Sequence, residues 1–293
     1  MTQIAIRPVA GTVGALLAEG VRCLQAVLTR ESGAAPALDA ELLLAYAMQM
    51  PRARLRSHPE EPVQRLAAQR FTALIARRVA GVPVAYLLGR KGFWTLELRV
   101  TPAVLVPRPE TELLVERALA LRLERRARVA DLGTGCGAIA LALATERPDW
   151  RVSATDLSGE ALVVARANAA ALGLERVAFS QGSWFAALPA RRFHLVVSNP
   201  PYVAAGDAAL AALAHEPPLA LTPGPDALAC LREIIHGAPM HLAAGGWLLL
   251  EHGAEQGRQV AGELAARGFV TVRTHRDLAG HERMTEGQWP TVR

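Results

Sequence analysis

Within residues 12–29, Val13, Leu16, Leu17, Val21, Leu24, Val27 and Leu28 recur at three- and four-residue intervals, the spacing of one buried helix face. Residues 38–48 repeat the pattern, with Asp39 placed to serve the helix start and Leu42, Leu43 and Leu44 inward. A third helix is predicted over 63–79, ended by Gly81 and Pro83. Residues 1–88 therefore predict a small helical bundle without a catalytic constellation; partner docking and plain support both suit it. From Tyr86 the period changes. Two short extended runs, 93–100 and 104–106, flank Thr101-Pro102 and predict a hairpin linker over 89–108. Pro109 then sits where a first helical residue belongs. Glu110 and Glu112 follow in the first turn, where the helix dipole favours carboxylates; a reach toward a ligand is the other reading of both.

Residues 109–293 alternate. Strands are predicted at 128–132, 152–156, 177–180, 193–198, 247–251 and 269–274, with helices at 138–146, 159–171, 225–241 and 254–267. Such alternation gives an α/β domain whose mainly parallel sheet is covered on both faces. Ligands bind such sheets beyond the carboxyl ends of the strands, near the point where strand order reverses. The motifs described next all fall at strand ends.

Composition narrows the classes. Of 293 residues, 51% are hydrophobic, yet no apolar run approaches the length of a membrane span. The opening MTQIAIRPVAGTVGALLAEG has no signal-peptide layout, and Cys23, Cys136 and Cys230 are odd in number and far apart, so a reducing cytoplasm is expected and neither a disulfide framework nor a metal site. The formal charge is +5, and Lys91 is the only lysine. Arg52, Arg54 and Arg56, and then Arg122, Arg125, Arg126 and Arg128, could face phosphate or an acidic protein, or simply solvent. His215, His252 and His281 have no metal-ligand spacing.

VADLGTGCGAIALALA, residues 129–144, is a strand, a glycine-rich turn and a helix. Gly133, Gly135 and Gly137 permit a tight bend and close ligand approach. Their G-x-G-x-G spacing departs from the G-x-G-x-x-G of dinucleotide sites, which argues against hydride chemistry. Asp156 ends the next strand, 25 residues after Asp131, where an acid can accept both ribose hydroxyls; helix capping is the alternative, and Ser158 could do that instead. Trp184 in GSWFAAL offers a flat face to a purine or simply fills the core. Together these residues resemble the Rossmann-like fold of class I S-adenosylmethionine-dependent methyltransferases. The resemblance implies that Asp131, Gly133, Thr134, Gly135, Cys136 and Gly137 border the methionine end, Asp156 the ribose and Trp184 the adenine, with Leu157 also among the cofactor-binding residues. Cys136 lacks an adjacent base and reads as a small loop residue rather than a nucleophile.

The fourth strand ends in Asn199-Pro200-Pro201-Tyr202. A planar NH₂ conjugated to a carbonyl or ring is a poor nucleophile, because its lone pair is delocalised. The Asn199 side-chain oxygen and Pro200 carbonyl can accept its two N–H groups, the prolines hold the carbonyl direction, and Tyr202 can stack on the plane. A proline-rich strand exit with a core tyrosine is the plain alternative. The motif itself does not separate a glutamine amide from an adenine amine, which nucleic-acid enzymes reach by flipping the base.

The wider sequence does separate them. PVAYLLGRKGFWTLELRVTPAVLVPRPETE at 83–112, with DLGTGCGAIALALA, GSWF, SNPPYV, LLLEHGAEQG and RDLAGHER, resembles the bacterial peptide chain release factor N5-glutamine methyltransferases through residue 283. The full Pro107–Glu112 string favours this branch over the ribosomal-protein one; ALTPGPDAL at 220–228 departs from a usually more glycine-rich stretch. The resemblance implies methylation of the glutamine in the Gly-Gly-Gln loop of class-1 release factors, with S-adenosylmethionine converted to S-adenosylhomocysteine. It further implies docking by the helical domain, no metal, no nucleic-acid or membrane requirement, and a monomer. Asn199, Pro200, Pro201 and Tyr202 would hold the substrate amide, with Asn199 also facing the cofactor. Glu216 and Glu251 receive no role: the first could shape the substrate entrance or be a satisfied loop carboxylate, and the second ends a strand near the site. An adenine methyltransferase, and a binding protein that has lost chemistry, are the rival readings.

Overall fold

The computed structural model describes residues 11–27 and 35–291; Leu28 and Thr29, the expected end of the first helix, and residues 1–10 of the opening stretch lie outside the described residues. The chain divides into two compact units at Gly89/Arg90.

The first unit contains α1 (Val13–Gln25), α2 (Pro36–Met48), α3 (Arg52–Ser57), α4 (Arg65–Val79) and α5 (Val84–Leu88). Thr12 caps α1, its hydroxyl accepting from Ala15 N. Gly20 lies inside α1, where glycine costs about 1 kcal/mol relative to alanine. The reason is proximity: a Cβ there would stand 2.7 Å from the Phe71 ring of α4. Leu43 and Leu44 are buried and Leu42 only half so. Asp39 does not cap α2. Pro36 opens that helix, which puts Asp39 within the first turn, where its Oδ2 accepts from Arg78 Nε at 2.8 Å. The basic run Arg52, Arg54 and Arg56 forms α3 and is paired internally, Arg52 and Arg56 with Glu41 and Arg54 with Glu61. Exposed pairs of this kind stabilise by at most about 1 kcal/mol each. They do cancel the charge that suggested a phosphate-facing surface. The two short helices α3 and α5 escaped the periodicity because neither completes two turns.

The second unit opens with a hairpin, β1 (Arg90–Phe93) paired antiparallel to β2 (Leu96–Arg99). Its turn is Trp94-Thr95, not Thr101-Pro102, and residues 104–106 are not a strand. Two helix carboxylates hold this turn: Trp94 N donates to Glu112 Oε1 at 2.9 Å and the indole Nε1 to Glu146 Oε1 at 2.7 Å. From Arg90 onward, the stretch expected as a linker packs within this unit. A 3₁₀ turn, Pro109–Thr111, then leads into α6 (Glu112–Ala120).

The remaining elements are β3 (Arg128–Leu132), α7 (Ala138–Glu146), β4 (Arg151–Asp156), α8 (Gly159–Ala171), β5 (Ala178–Gln181), β6 (Phe193–Ser198), α9 (Ala209–Ala212), α10 (Ala229–His241), β7 (Leu242–Glu251), α11 (Gly257–Ala266), β8 (Val270–Arg276) and β9 (Glu282–Gln288). Seven strands form one sheet in the order β5-β4-β3-β6-β7-β9-β8. All neighbours from β5 to β7 are parallel, and β9 runs antiparallel to both β7 and β8. The order reverses between β3 and β6, the switch point of the sheet.

β9 is the strand the hydrophobic pattern does not show. Its sequence ERMTEGQ has neither an apolar run nor alternation, yet it lies inside the sheet with Thr285 and Glu286 buried. Each polar group has a partner: Glu286 pairs with Arg117 and His275, and Thr285 Oγ1 lies 2.8 Å from His252 Nε2. Among the described residues no helix is long and apolar enough to cross a membrane.

Candidate active site

Gly133-Thr134-Gly135-Cys136-Gly137 joins β3 to α7, and all three glycines adopt positive φ, 72°, 57° and 89°. Their surroundings differ. A Cβ on Gly137 would lie 2.9 Å from Leu141 Cδ1, and one on Gly133 would press at 3.3 Å on the Trp184 ring; beside Gly135 there is nothing within 4 Å. The turn is therefore open at its middle. Its N–H groups point into the protein: those of Gly133 and Thr134 donate to the Thr155 carbonyl, that of Gly137 to the Thr134 carbonyl, and that of Gly135 to Asp156 Oδ2 at 2.8 Å. A phosphate-binding turn offers those groups to its ligand. Here four of the five are occupied and carboxylates stand beside them, which suits a cationic ligand and not a pyrophosphate.

Asp131 has no exposed surface. Its Oδ2 accepts from the Thr134 hydroxyl at 2.7 Å and from Ala140 N at 3.1 Å, securing turn and helix from behind, while among the described residues Oδ1 has no partner. Burial pushes its carboxyl up to about 7. Asp156 ends β4 and accepts from Ser158 N on its other oxygen at 2.9 Å; burial raises it too. Each of its oxygens keeps a lone pair for a further donor. It does not cap α8, because Ser158 does so through Ala161 N. Leu157 is exposed beside it. Trp184 is half-buried, and its ring forms a wall of the turn against Gly133. Cys136 is buried and burial pushes its thiol up to about 12, so it remains a thiol.

Leu132 pairs with Ser198, so the glycine turn and Asn199 leave adjacent strand ends. Asn199 Nδ2 donates to Thr111 Oγ1 at 3.2 Å, and among the described residues its Oδ1 receives no donor. The Pro200 carbonyl likewise accepts no hydrogen bond among the described residues. Pro201 follows in chain without regular structure. Tyr202 is anchored twice: its hydroxyl donates to Glu251 Oε1 at 3.3 Å, and its carbonyl accepts from Gln256 Nε2 at 3.1 Å. Burial holds its phenol above the ordinary range, hence neutral. Asn199, Pro200 and Tyr202 line a cavity of about 70 Å³ with Leu105, Arg108 and Leu221.

Several residues that build this site carried no role in the sequence. Glu216, 4% exposed, accepts from Val106 N at 3.0 Å and pairs with Arg108, tying one wall of the cavity to the other. It is thus a satisfied carboxylate in a loop, bonded to Val106 N and Arg108. Glu251, 2% exposed, is pushed up to about 7 by burial, with Glu110 adding to the rise and Thr111, Tyr202 and Arg283 opposing it. Glu112 is engaged by the hairpin turn. Asn168, buried on α8, donates to the carbonyls of Cys136 and Arg99, joining glycine turn to hairpin; an asparagine within an alanine-rich helix was the available signal. In the stretch that departs from a glycine-rich pattern, Leu221 and Gly224 accept backbone bonds from Val203 and Ala205 beside the cavity. Of the histidines weighed from the sequence, His252 is buried against Thr285, and His281 faces Asp277. Among the described residues no group of three or more His, Cys, Asp or Glu side chains is arranged to hold a metal ion.

Comparison with known proteins follows the same two units. Residues 16–89 match the PrmC N-terminal domain and residues 109–225 the methyltransferase small domain. A release factor glutamine methyltransferase of Pseudomonas aeruginosa PAO1 is 54% identical, over 86% of this chain and 92% of that one. One from Xylella fastidiosa Temecula1 is 51% identical, over 86% and 93%. Among solved structures, a methyltransferase from Pyrococcus furiosus superposes with a TM-score of 0.52 at 18% identity, over 68% of this chain and 91% of that one, a likeness of fold. Because about half of all positions are shared with such relatives across nearly their whole length, the chain belongs to the release factor glutamine methyltransferases.

Proposed function

We propose that this enzyme transfers the methyl group of S-adenosylmethionine to the side-chain amide nitrogen, N5, of the glutamine in the Gly-Gly-Gln loop of class-1 release factors, tuning translation termination. The observation that carries the reading is a pair of acceptors, Asn199 Oδ1 and the Pro200 carbonyl, that receive no donor among the described residues and stand beside a turn suited to a cation.

The residues fit the cofactor. The open flank of Gly135 admits its chain, Asp156 has lone pairs for the ribose hydroxyls, Leu157 and Trp184 offer apolar faces for adenine, and the orphaned Asp131 Oδ1 suits an ammonium group. Thr134, Cys136 and Gly137 complete the turn. When bound, S-adenosylmethionine supplies a methyl group on a positively charged sulfur, already a good leaving group. Asn199 and Pro200 each accept one N–H of the substrate amide. That fixes the nitrogen and favours the positive charge it gains as the N–C bond forms and the S–C bond breaks. Tyr202, neutral and anchored at both ends, lies against the amide plane. Pro201 stiffens the segment between them. The extra N–H proton leaves for solvent after transfer, so no dedicated base is required.

The helical unit serves as a docking surface for the release factor in this reading, which also takes the enzyme to be cytoplasmic, monomeric, and independent of metal, membrane and nucleic acid. The test is transfer of labelled methyl from S-adenosylmethionine to a recombinant release factor. Label is expected on the intact factor and absent when its Gly-Gly-Gln glutamine is alanine. Label appearing only on DNA or RNA controls would overturn the substrate assignment and leave a methyltransferase with another acceptor.

A further inference from the structure

Tyr202 lines the cavity, yet two of the groups that fix its place come from behind it, in the connection from β7 to α11. Glu251 ends β7 and accepts the phenol hydroxyl at 3.3 Å. Gln256 immediately precedes α11; its Nε2 donates to the Tyr202 carbonyl at 3.1 Å and its Oε1 accepts from Gly253 N at 2.8 Å. The heading of this amide is not open to choice, because a backbone carbonyl only accepts and a backbone N–H only donates. The other edge of the same peptide unit is held too: Val203 N donates to the Leu221 carbonyl at 3.0 Å. Tyr202 is therefore gripped at its backbone and at the far end of its ring.

The turn that supplies Gln256 is itself braced. Gly253 and Gln256 bond twice, since Gln256 N donates to the Gly253 carbonyl at 2.9 Å. They lie so close that a Cβ on Gly253 would stand 3.2 Å from Gln256 Oε1. His252, fully buried, staples the turn to β9: its backbone N–H donates to the Arg283 carbonyl at 2.9 Å, and its Nε2 lies 2.8 Å from Thr285 Oγ1. We propose that Gln256 is a positioning residue: it carries the rigidity of this turn to Tyr202 and so fixes the ring against the plane of the substrate amide. Gln256 is not among the residues lining the cavity, so it acts through Tyr202 and not on the substrate. The Pro200 carbonyl, whose direction the prolines hold, does not depend on it. What Gln256 contributes is aim, because a ring held at both ends has little room to tilt as the methyl group approaches.

This inference rests on the glutamine reading above, and the two fail differently. Loss of that reading appears as wild-type enzyme that leaves the release factor unlabelled. The present proposal is tested in steady-state methylation of the release factor by Gln256→Glu and Gln256→Met enzymes, each made alone and together with Tyr202→Ala, with S-adenosylmethionine affinity measured on each. An ionised glutamate keeps the bond from Gly253 N and loses only the donor to Tyr202. Its kcat is expected to fall by about fivefold or more, with KM for the factor and cofactor affinity within about twofold of wild type. Gln256→Met, similar in length but without polar atoms, is expected to lower kcat in the same sense, and it carries the test should the glutamate chain not fold. In the Tyr202→Ala background, where no ring is left to aim, either change is expected to cost less than about twofold. Wild-type kcat in either single variant, an undiminished loss in the alanine background, or losses confined to KM or to cofactor affinity would each overturn the proposal.

Discussion

The two ends of the site are built in opposite ways. At the cofactor end the bonds are local: Asp131 to Thr134 spans three residues, Asp131 to Ala140 nine, and Asp156 to Gly135 twenty-one. At the acceptor end they are distant, 49 residues for Tyr202 to Glu251, 88 for Asn199 to Thr111 and 110 for Glu216 to Val106. A strand, a turn and a helix suffice to make the first. The second exists only once the segment before α6, a 3₁₀ turn, two strand ends and a long loop have come together. The contrast teaches where each function is vulnerable: the donor site through backbone conformation, the acceptor site through side chains that reach across the sheet.

The largest effect that would sharpen this contrast is expected from Asn199→Ala. Removing one of two acceptors should lower kcat by on the order of 10²–10³-fold. S-adenosylmethionine affinity, measured calorimetrically, should stay close to wild type. A parallel loss of cofactor binding would break the division between the two ends.

Next in size is an effect of pH on the acceptor end. The Glu251 carboxyl, held at about 7 against a reference of 4.5, is bound more tightly by its proton in the folded state than in the unfolded one. The stability this gives is complete below about pH 4.5 and is lost as pH rises through about 7, a difference of roughly 3 kcal/mol. Glu251→Gln lacks that loss. Thermal or urea unfolding should therefore show the variant gaining on the wild type between pH 5 and pH 8, and equal slopes would refute the assignment.

The smallest is expected from Asp156→Asn. An amide in place of the carboxylate weakens acceptance of two hydroxyls, and cofactor affinity should fall by about tenfold, with release-factor KM little changed. A change in KM alone would place Asp156 on the wrong side of the comparison.

The same difference explains what could be read without coordinates. Asp131, the three glycines and Asp156 lie within one strand–turn–helix–strand stretch, and so they announce themselves by spacing. Asn199 to Tyr202 were legible as chemistry because proline and asparagine are unusual at the end of a buried strand. Thr111, Glu216 and Gln256 were not, since a threonine before a helix or a glutamate in a loop has no local signature of its distant partner. β9 was hidden for a related reason. Its burial depends on Arg117, His275 and His252 meeting Glu286 and Thr285 across the sheet, and no pattern within ERMTEGQ reveals that. The hairpin turn at Trp94 was misplaced because Glu112 and Glu146, far along the chain, hold it.

The two anchors of Tyr202, its hydroxyl on Glu251 and its carbonyl on Gln256, also set an order of maturation during synthesis. A chain emerges from the ribosome N-terminus first and folds as its parts become available. Asp131, the glycine turn and Asp156 are all out before Asn199, and the clamp on the acceptor must wait for Glu251 and Gln256. A nascent chain halted ahead of β7 would already carry the turn shaped for the methyl donor, yet Tyr202 would lack both of its anchors. The enzyme thus acquires its reagent end first and its aim last.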